Sequence, residues 1–446
     1  MKASERSAER KGFPGAAGFA ALAALCLAGL APAGARAQAE PRPVGEFADR
    51  IDRLSRFQAR GAEYGPRDMP VPRAAALAAS ERRLGAGLER MSFGARDFPV
   101  RREEVVGVDL SPASLEKARA LGFEPVRAWR LESLDIRVDV LRAPRGQSVR
   151  RALRRLRRAD PDGEYHPNAL FDLQGDGSVP APFVADAPED EGFAGLVGVI
   201  DTGVDPGLEE LAGAILAQEN FGRGGQATPR AHGAAVAALA RRHGAGRLLV
   251  ADVFSGEPAY ADAEAIARAL DWMAGRGVAV INMSLAGPPN GLLERAVARA
   301  LARGHVIVAA VGNQGPETPP QYPAAYPGVI GVTAVDRESR VYERANRGEG
   351  VDVSAFGVDV IPPAADGTGE RLSGTSYAAP AVSAWLARRL AEPRPGAAAQ
   401  MRALVMAAAI DLGEPGFDPV YGAGLLAQDA YLAAGAGAPA GPPVSQ

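Results

Sequence analysis

Between Leu196 and Val335, short apolar runs alternate with stretches whose apolar positions recur every three or four residues. The runs Leu196 to Ile200, Leu248 to Phe254, Val278 to Met283, Val306 to Val311 and Val329 to Val335 have the length of buried strands. The segment starting at His232, Ala263 to Ala274 behind Asp262, and Leu292 to Ala302 read as amphipathic helices. Uniformly apolar strands separated by helices imply a parallel sheet covered on both faces, an α/β architecture. In such sheets functional groups collect beyond the carboxyl ends of strands, and Asp201, Ser284 and Asn313 all follow strand ends. A further helix is expected from Ser376 to about Leu390, with Pro380 in its first turn, where proline costs least.

Upstream the pattern changes. Val105 to Leu110 alternates as a strand, Ser111 caps a helix over Ala113 to Leu121, and Pro125 to Leu131 and Leu134 to Leu141 read as two strands. Ser148 opens a helix with Val149, Leu153 and Leu156 on one face, and a short segment follows at Tyr165 to Phe171. The order β-α-β-β-α-β is that of a split βαβ, ferredoxin-like unit. Arg150, Arg151, Arg154, Arg155, Arg157 and Arg158 are read as the solvated face of its second helix, because no aromatic residue interleaves them as a nucleic-acid surface would require. Residues 172 to 192, rich in Gly, Pro and acids, read as an exposed, cleavable link. Within the link, Asp172, Gln174 and Asp176 are spaced like the start of a calcium loop, but its twelfth position is Phe183, so a polar turn is expected. Before residue 103, Phe47 to Arg60 and Ala74 to Met91 show only broken helical patterns and suggest no chemistry.

Composition adds little to this picture, and charge excludes little. A net charge of −3 over 446 residues gives no reason to expect nucleic acid or an anionic membrane as partner. The N-terminus changes more. Arg6, Arg10 and Lys11 precede an apolar stretch from Ala16 to Leu30 and a small-x-small site at Ala35-Arg36-Ala37, the pattern of a secretory signal that ends at residue 37. A retained membrane anchor is the alternative. The single cysteine, Cys26, lies inside that stretch, so a processed chain has no disulfide.

The candidate chemistry lies in six short motifs. Ile200-Asp201-Thr202-Gly203, His232-Gly233-Ala234-Ala235-Val236-Ala237 and Gly374-Thr375-Ser376-Tyr377-Ala378-Ala379-Pro380 bring an acid, an imidazole and a hydroxyl in that order. A seryl hydroxyl needs a base to take its proton and a carboxylate to fix that base's tautomer. Val308-Ala309-Ala310-Val311-Gly312-Asn313 ends a buried strand on an amide, and Val280 to Gly287 and Tyr322 to Pro327 complete the set. Single residues have plainer readings: Ser376 as a helix cap, Asp201 as a turn residue with Asp205 as the next acid, Asn313 as a turn asparagine. The strings G-x-S-x-G in the order Ser, acid, His, and H-E-x-x-H, are not met here, which argues against an α/β-hydrolase or a zinc protease.

Together the six motifs, spread over residues 195 to 425, resemble the subtilisin-like serine proteases. The resemblance implies a three-layer fold with a mostly parallel central sheet, and an enzyme that cleaves peptide bonds through an acyl-enzyme. It makes Asp201, His232 and Ser376 the catalytic triad and Asn313 the oxyanion donor, with Ser284, Leu285, Ala286, Gly287 and Gly312 binding the substrate backbone. Four positions depart from the usual motif: Tyr377 in place of Met, Ala381 in place of His, Ala234 in place of Thr and Ala286 in place of Gly.

The resemblance also makes the split βαβ unit an inhibitory propeptide. The expected organisation is signal 1–37, a region of unassigned role 38–102, propeptide domain 103–171, link with the processing site 172–192, peptidase domain 193–433 and tail 434–446. The chemistry then needs no cofactor and no metal, with a structural calcium left open. Expected partners are protein or peptide substrates and the chain's own propeptide as inhibitor, with no nucleic acid and no stable membrane partner, for a monomer that is secreted or periplasmic. The alternatives are a pseudoprotease that kept the fold without catalysis and an anchored maturation protease of narrow specificity.

Overall fold

The computed structural model describes residues 88–93, 96–173, 176–180, 195–256, 260–361 and 370–426. The expected signal, most of the region before residue 103 and the C-terminal tail lie outside the described residues.

An antiparallel unit comes first: β1 (Leu88–Phe93), β2 (Arg96–Val108), α1 (Pro112–Ala120), β3 (Glu124–Leu131), β4 (Ile136–Arg142), α2 (Val149–Ala159) and β5 (Glu164–Leu173). Ser111 and Ser148 cap the two helices by accepting from Ser114 N and Arg151 N. Helix α2 buries Val149, Ala152, Leu153 and Leu156 against the sheet and turns most of its arginines outward. The sheet runs β5-β2-β4-β3, with β1 paired to β2. Two sequence expectations need correction here. Residues 88–91, read as the end of a broken helix, are a strand in register with β2. The stretch read as a loose link begins inside β5 and continues with β6 (Asp176–Pro180).

The second unit carries β7 (Leu196–Asp201), β8 (Ile215–Asn220), α3 (Ala231–Arg242), β9 (Arg247–Asp252), β10 (Ala261–Asp262), α4 (Ala263–Gly275), β11 (Val280–Met283), β12 (Leu285–Ala286), α5 (Gly291–Ala302), β13 (Val306–Ala310), β14 (Ile330–Val335), β15 (Val353–Phe356), β16 (Glu370–Ser373), α6 (Thr375–Ala387) and α7 (Ala397–Ala408). Seven of these strands form a parallel sheet in the order β15-β14-β13-β11-β7-β9-β8. Successive residues face opposite layers: Val306 and Val308 enter one apolar cluster, Ile307 and Ala309 the other. One cluster packs α3 and α6 on the sheet. The other packs α4 and α5 and continues without a break into the core of the antiparallel unit through Phe171, Leu285 and Leu292. The parallel sheet covered on both faces that the pattern of runs implied is the arrangement observed.

Candidate active site

Asp201 ends β7, where the sheet offers its carboxyl edge, and its side chain is fully buried. A buried carboxylate is costly unless its oxygens find donors. Thr202 N donates to Oδ1 at 2.7 Å, and His232 Nδ1 lies 2.9 Å from Oδ1 and 3.1 Å from Oδ2. His232 belongs to the first turn of α3. That turn comes close because the next residue has no side chain: a Cβ on Gly233 would sit 2.4 Å from Thr202 Oγ1, and Gly233 N donates to the same oxygen at 2.9 Å. With Nδ1 engaged by the carboxylate, the tautomer is set and Nε2 is the accepting nitrogen; it makes no hydrogen bond to the protein. Asp205 lies elsewhere, exposed and holding the Gly207 N–H of a turn.

Ser376 is the second residue of α6, a helix buried over its whole length. Pro380 is not in the first turn, as the sequence reading expected, but in the second, four residues after Ser376. Proline has no N–H to give the carbonyl four residues back, so the Ser376 carbonyl loses its helical partner. Ser284 replaces it, its hydroxyl donating to Ser376 O at 2.9 Å. In return the Ser376 hydroxyl donates to Ser284 O at 3.1 Å. The Ser284 oxygen is fixed from behind by Asn282 Nδ2 at 2.9 Å, and Asn282 Oδ1 accepts from Ser383 Oγ at 3.1 Å, two turns further along α6 than Ser376. This chain of buried neutral groups ties β11 and β12 to the start of α6.

Asn313 follows β13 and Gly312. Its Oδ1 accepts from Thr375 N at 3.2 Å and from Thr375 Oγ1 at 3.0 Å, while Gly312 N donates to Thr375 Oγ1 at 3.3 Å. The amide oxygen is thus held at the residue before Ser376. The Tyr377 ring lies 5.4 Å from the His232 ring, centroid to centroid, so the imidazole and the start of α6 share one pocket. Ser376 itself donates to Ser284 and not to His232.

Leu285, Ala286 and Gly287 line this cleft in an unexpected state. Leu285 pairs with Leu173 and Ala286 with Asp172, so the end of the antiparallel unit lies on the strand named for substrate binding. A Cβ on Gly287 would meet the Phe171 ring at 2.5 Å. Sequence reasoning missed Asn282, Thr375 and Asp252. Asp252, opposite Asp201 in the β7–β9 register, accepts from Thr228 N and Phe254 N; burial raises its pKa above the ordinary carboxylate range. Among the described residues no group of three or more His, Cys, Asp or Glu is placed to hold a metal.

A parallel sheet that presents a carboxylate–imidazole pair beside a serine at a helix start has the arrangement of a serine hydrolase. The sequence comparisons narrow the class. Residues 194–424 match the Subtilase family of peptidases, and the chain belongs to that family of serine endopeptidases. It is 33% identical over 261 residues to subtilisin DY of Bacillus licheniformis, covering 54% of this chain and 93% of that protein. It is 30% identical over 281 residues to fervidolysin of Fervidobacterium pennivorans, covering 53% of this chain and 40% of that one. In the crystal structure of fervidolysin, described as a keratinolytic enzyme related to subtilisin, the fold matches with a TM-score of 0.62 at 22% identity, over 78% of this chain and 62% of that one.

Proposed function

We propose that the chain is a serine endopeptidase made as an inhibited precursor that processes itself and is exported. The observation that carries the reading is the buried Asp201–His232 pair with its outer nitrogen free, set beside a serine whose backbone and hydroxyl are both held by Ser284. Catalysis requires the Ser376 hydroxyl to exchange its bond to Ser284 O for one to His232 Nε2. The imidazole then takes the proton as Oγ attacks the carbonyl carbon, and Asp201 stabilises the imidazolium that results. The developing oxyanion meets the Asn313 NH₂ and the Ser376 N–H at the positive end of α6. The imidazolium returns the proton to the leaving nitrogen, and water hydrolyses the acyl-enzyme by the same route.

The precursor reading is supported by β5 lying in the cleft and by the antiparallel unit's own sheet and helix caps. Domain limits on this reading are 103–171 for the propeptide and 193–433 for the peptidase. Export is supported by the signal pattern at 1–37, which lies outside the described residues, and by a relative named minor extracellular protease Epr of Bacillus subtilis, 30% identical over 166 residues. Among the described residues no helix is long and apolar enough to cross a membrane. The test compares wild type with Ser376→Ala in expression and on a protein substrate. Two fragments and activity are expected from the first, and an intact, inactive chain from the second. Equal processing of both in a protease-free preparation would exclude self-cleavage, and an inactive wild type would favour a pseudoprotease.

A further inference from the structure

His232 stands in the first turn of a helix that has no side-chain cap. Arg230 occupies the N-cap position of α3, and its side chain accepts nothing from the first turn. The start of the helix is held instead from the sheet. Arg230 N donates to Gly203 O at 3.0 Å, Gly203 and Pro229 form a bridge, and Thr228 N donates to Asp252 Oδ2 at 2.6 Å. A Cβ on Gly203 would lie 2.8 Å from the Thr228 main chain, so the two segments meet backbone to backbone.

Asp252 ends β9, fully buried and beside Asp201 in the β7–β9 register. Oδ1 accepts from Phe254 N at 2.9 Å. Burial opposes its charge, and the main-chain N–H groups of Thr228, Phe254, Gly203 and Ser255 oppose burial. Among the described residues every donor it has is a main-chain N–H. The strand end is fixed too: Val253 N donates to Asp201 O at 2.9 Å, and the Asp252 carbonyl accepts from Phe221 N and Gly222 N at 2.8 and 3.1 Å. One side chain thus grips the turn that follows Asp201, the segment that leads into His232 and the residues beyond its own strand.

A carboxylate buried without a cation is a costly way to hold loops. What it offers in return is two acceptor oxygens on one rigid group, where an amide has one. Resting on the triad reading above, we infer that Asp252 is a positioning residue for catalysis, which sets the separation of Asp201 and His232 by holding Gly203 and Thr228 to the same carboxylate. It touches neither substrate nor a reacting atom. The tolerance is small, because a misplacement of about 1 Å can cost roughly 10² in rate and the Asp201–His232 contact depends on both held segments.

Asp252→Asn keeps the size of the side chain and turns one oxygen into a donor facing an N–H. Gly203→Ala pushes on Thr228 and leaves the carboxylate in place. Both variants, their double, wild type, Asp352→Asn and His232→Ala are each cleaved in the link by an added protease that is then removed, and turnover is measured per mole of folded protein. Asp352 is a buried carboxylate at the opposite sheet edge, paired with Arg402, and serves as the structural control. Asp252→Asn and Gly203→Ala should each lower kcat about 10- to 100-fold, with KM changed less than about twofold. Their double should lose little more than the worse single, because both act through one segment. The low-field proton resonance of His232 Nδ1–H on Asp201 should shift in both, while Asp352→Asn keeps the resonance and kcat of wild type. Wild-type kcat with an unshifted resonance in Asp252→Asn, or losses that multiply in the double, would overturn the assignment. Should Asp252→Asn fail to fold, the same two readings on Gly203→Ala decide it. A His232→Ala variant with wild-type turnover would overturn the triad reading itself.

Discussion

The start of α6 and the seam between the two units are both polar, yet they are built from opposite materials. Around Ser376 the tethers are neutral and fully buried: Ser284, Asn282, Ser383, Thr375 and Asn313 exchange hydroxyl, amide and backbone hydrogen bonds. Away from the cleft strands, the seam adds ions to the apolar core that the two units share. Arg127 reaches Glu104 of its own unit at 2.9 Å and Glu264 of α4 at 2.6 Å, and Arg223 reaches Glu104 and Asp262, each at 2.9 Å. Arg127 keeps 26% of its side chain exposed. Neutral buried networks are costly to open, because every freed group is left without a partner. The ions of the seam are charged groups that water can take up when the units part. One region suits a permanent machine, and on the precursor reading the other is a contact that is later given up.

The largest expected break in this comparison is Ser376→Ala, which should lower kcat about 10⁶-fold while leaving the fold and the seam in place, a magnitude taken from subtilisin itself. Turnover per mole of protein, with both forms cleaved in the link by an added protease that is then removed and circular dichroism as a control, checks it. Asn313→Ala comes next. It should lower kcat by about 10² to 10³, roughly 2.7 to 4 kcal/mol, with KM little changed, whereas a turn asparagine would change the yield of folded protein and not turnover per titrated site.

Ser284→Ala sharpens the neutral side of the comparison. It leaves the Ser376 carbonyl without its donor, which costs about 1–3 kcal/mol and should lower kcat more than it raises KM. Adding Pro380→Ala to that variant restores a backbone N–H for the same carbonyl, and urea unfolding should recover most of the loss. No recovery in the double variant would show that the proline and the serine are not coupled.

On the ionic side, Arg127→Met should speed release of the cleaved N-terminal unit at least tenfold, measured by surface-captured complex, without changing kcat of the free enzyme. The smallest effect is in pH. Burial opposes ionisation of Glu104, but hydrogen bonds from Arg127 and the charge of Arg223 outweigh it and hold the carboxyl at about 2. Its folded value is depressed, so its contribution is complete above about 4.5 and is lost as pH falls toward 2. His166 faces Gly291 of α5, with Glu164, Arg157 and Arg295 around it. Burial lowers its pKa, Glu164 opposes, and the two arginines add to the lowering. A histidine kept neutral stabilises the seam above 6.5 and less as pH falls below it. Dissociation should therefore quicken in two separate acid windows, and His166→Gln should remove only the upper one.

Much of this molecule could be read from its sequence, for reasons that differ by region. The parallel sheet was legible because strands buried on both faces are uniformly apolar, and Asp201, His232 and Ser376 because each sits in a short motif of small residues that close packing demands. The end of β5 and β6 were not. Asp172–Leu173 and Asp176–Pro180 have little strand propensity of their own and are extended only because β12 and β16 supply partners from far along the chain. Likewise, Leu88 and Met91 are spaced as on a helix, but pairing with β2 wins. The tie between Pro380 and Ser284 was hidden for a third reason: a missing N–H becomes a feature of the site only once the fold shows which hydroxyl replaces it.

The account turns on Ser376 being the one serine that His232 activates. The matured enzyme should be treated with a serine-directed phosphonylating reagent to loss of activity, and the adduct mapped by peptide mass spectrometry. A single adduct on Ser376, formed at equal stoichiometry with the activity lost and not formed in His232→Ala, is the result expected. Inactivation with the adduct on another serine, or labelling of Ser376 that proceeds as fast without His232, would contradict it.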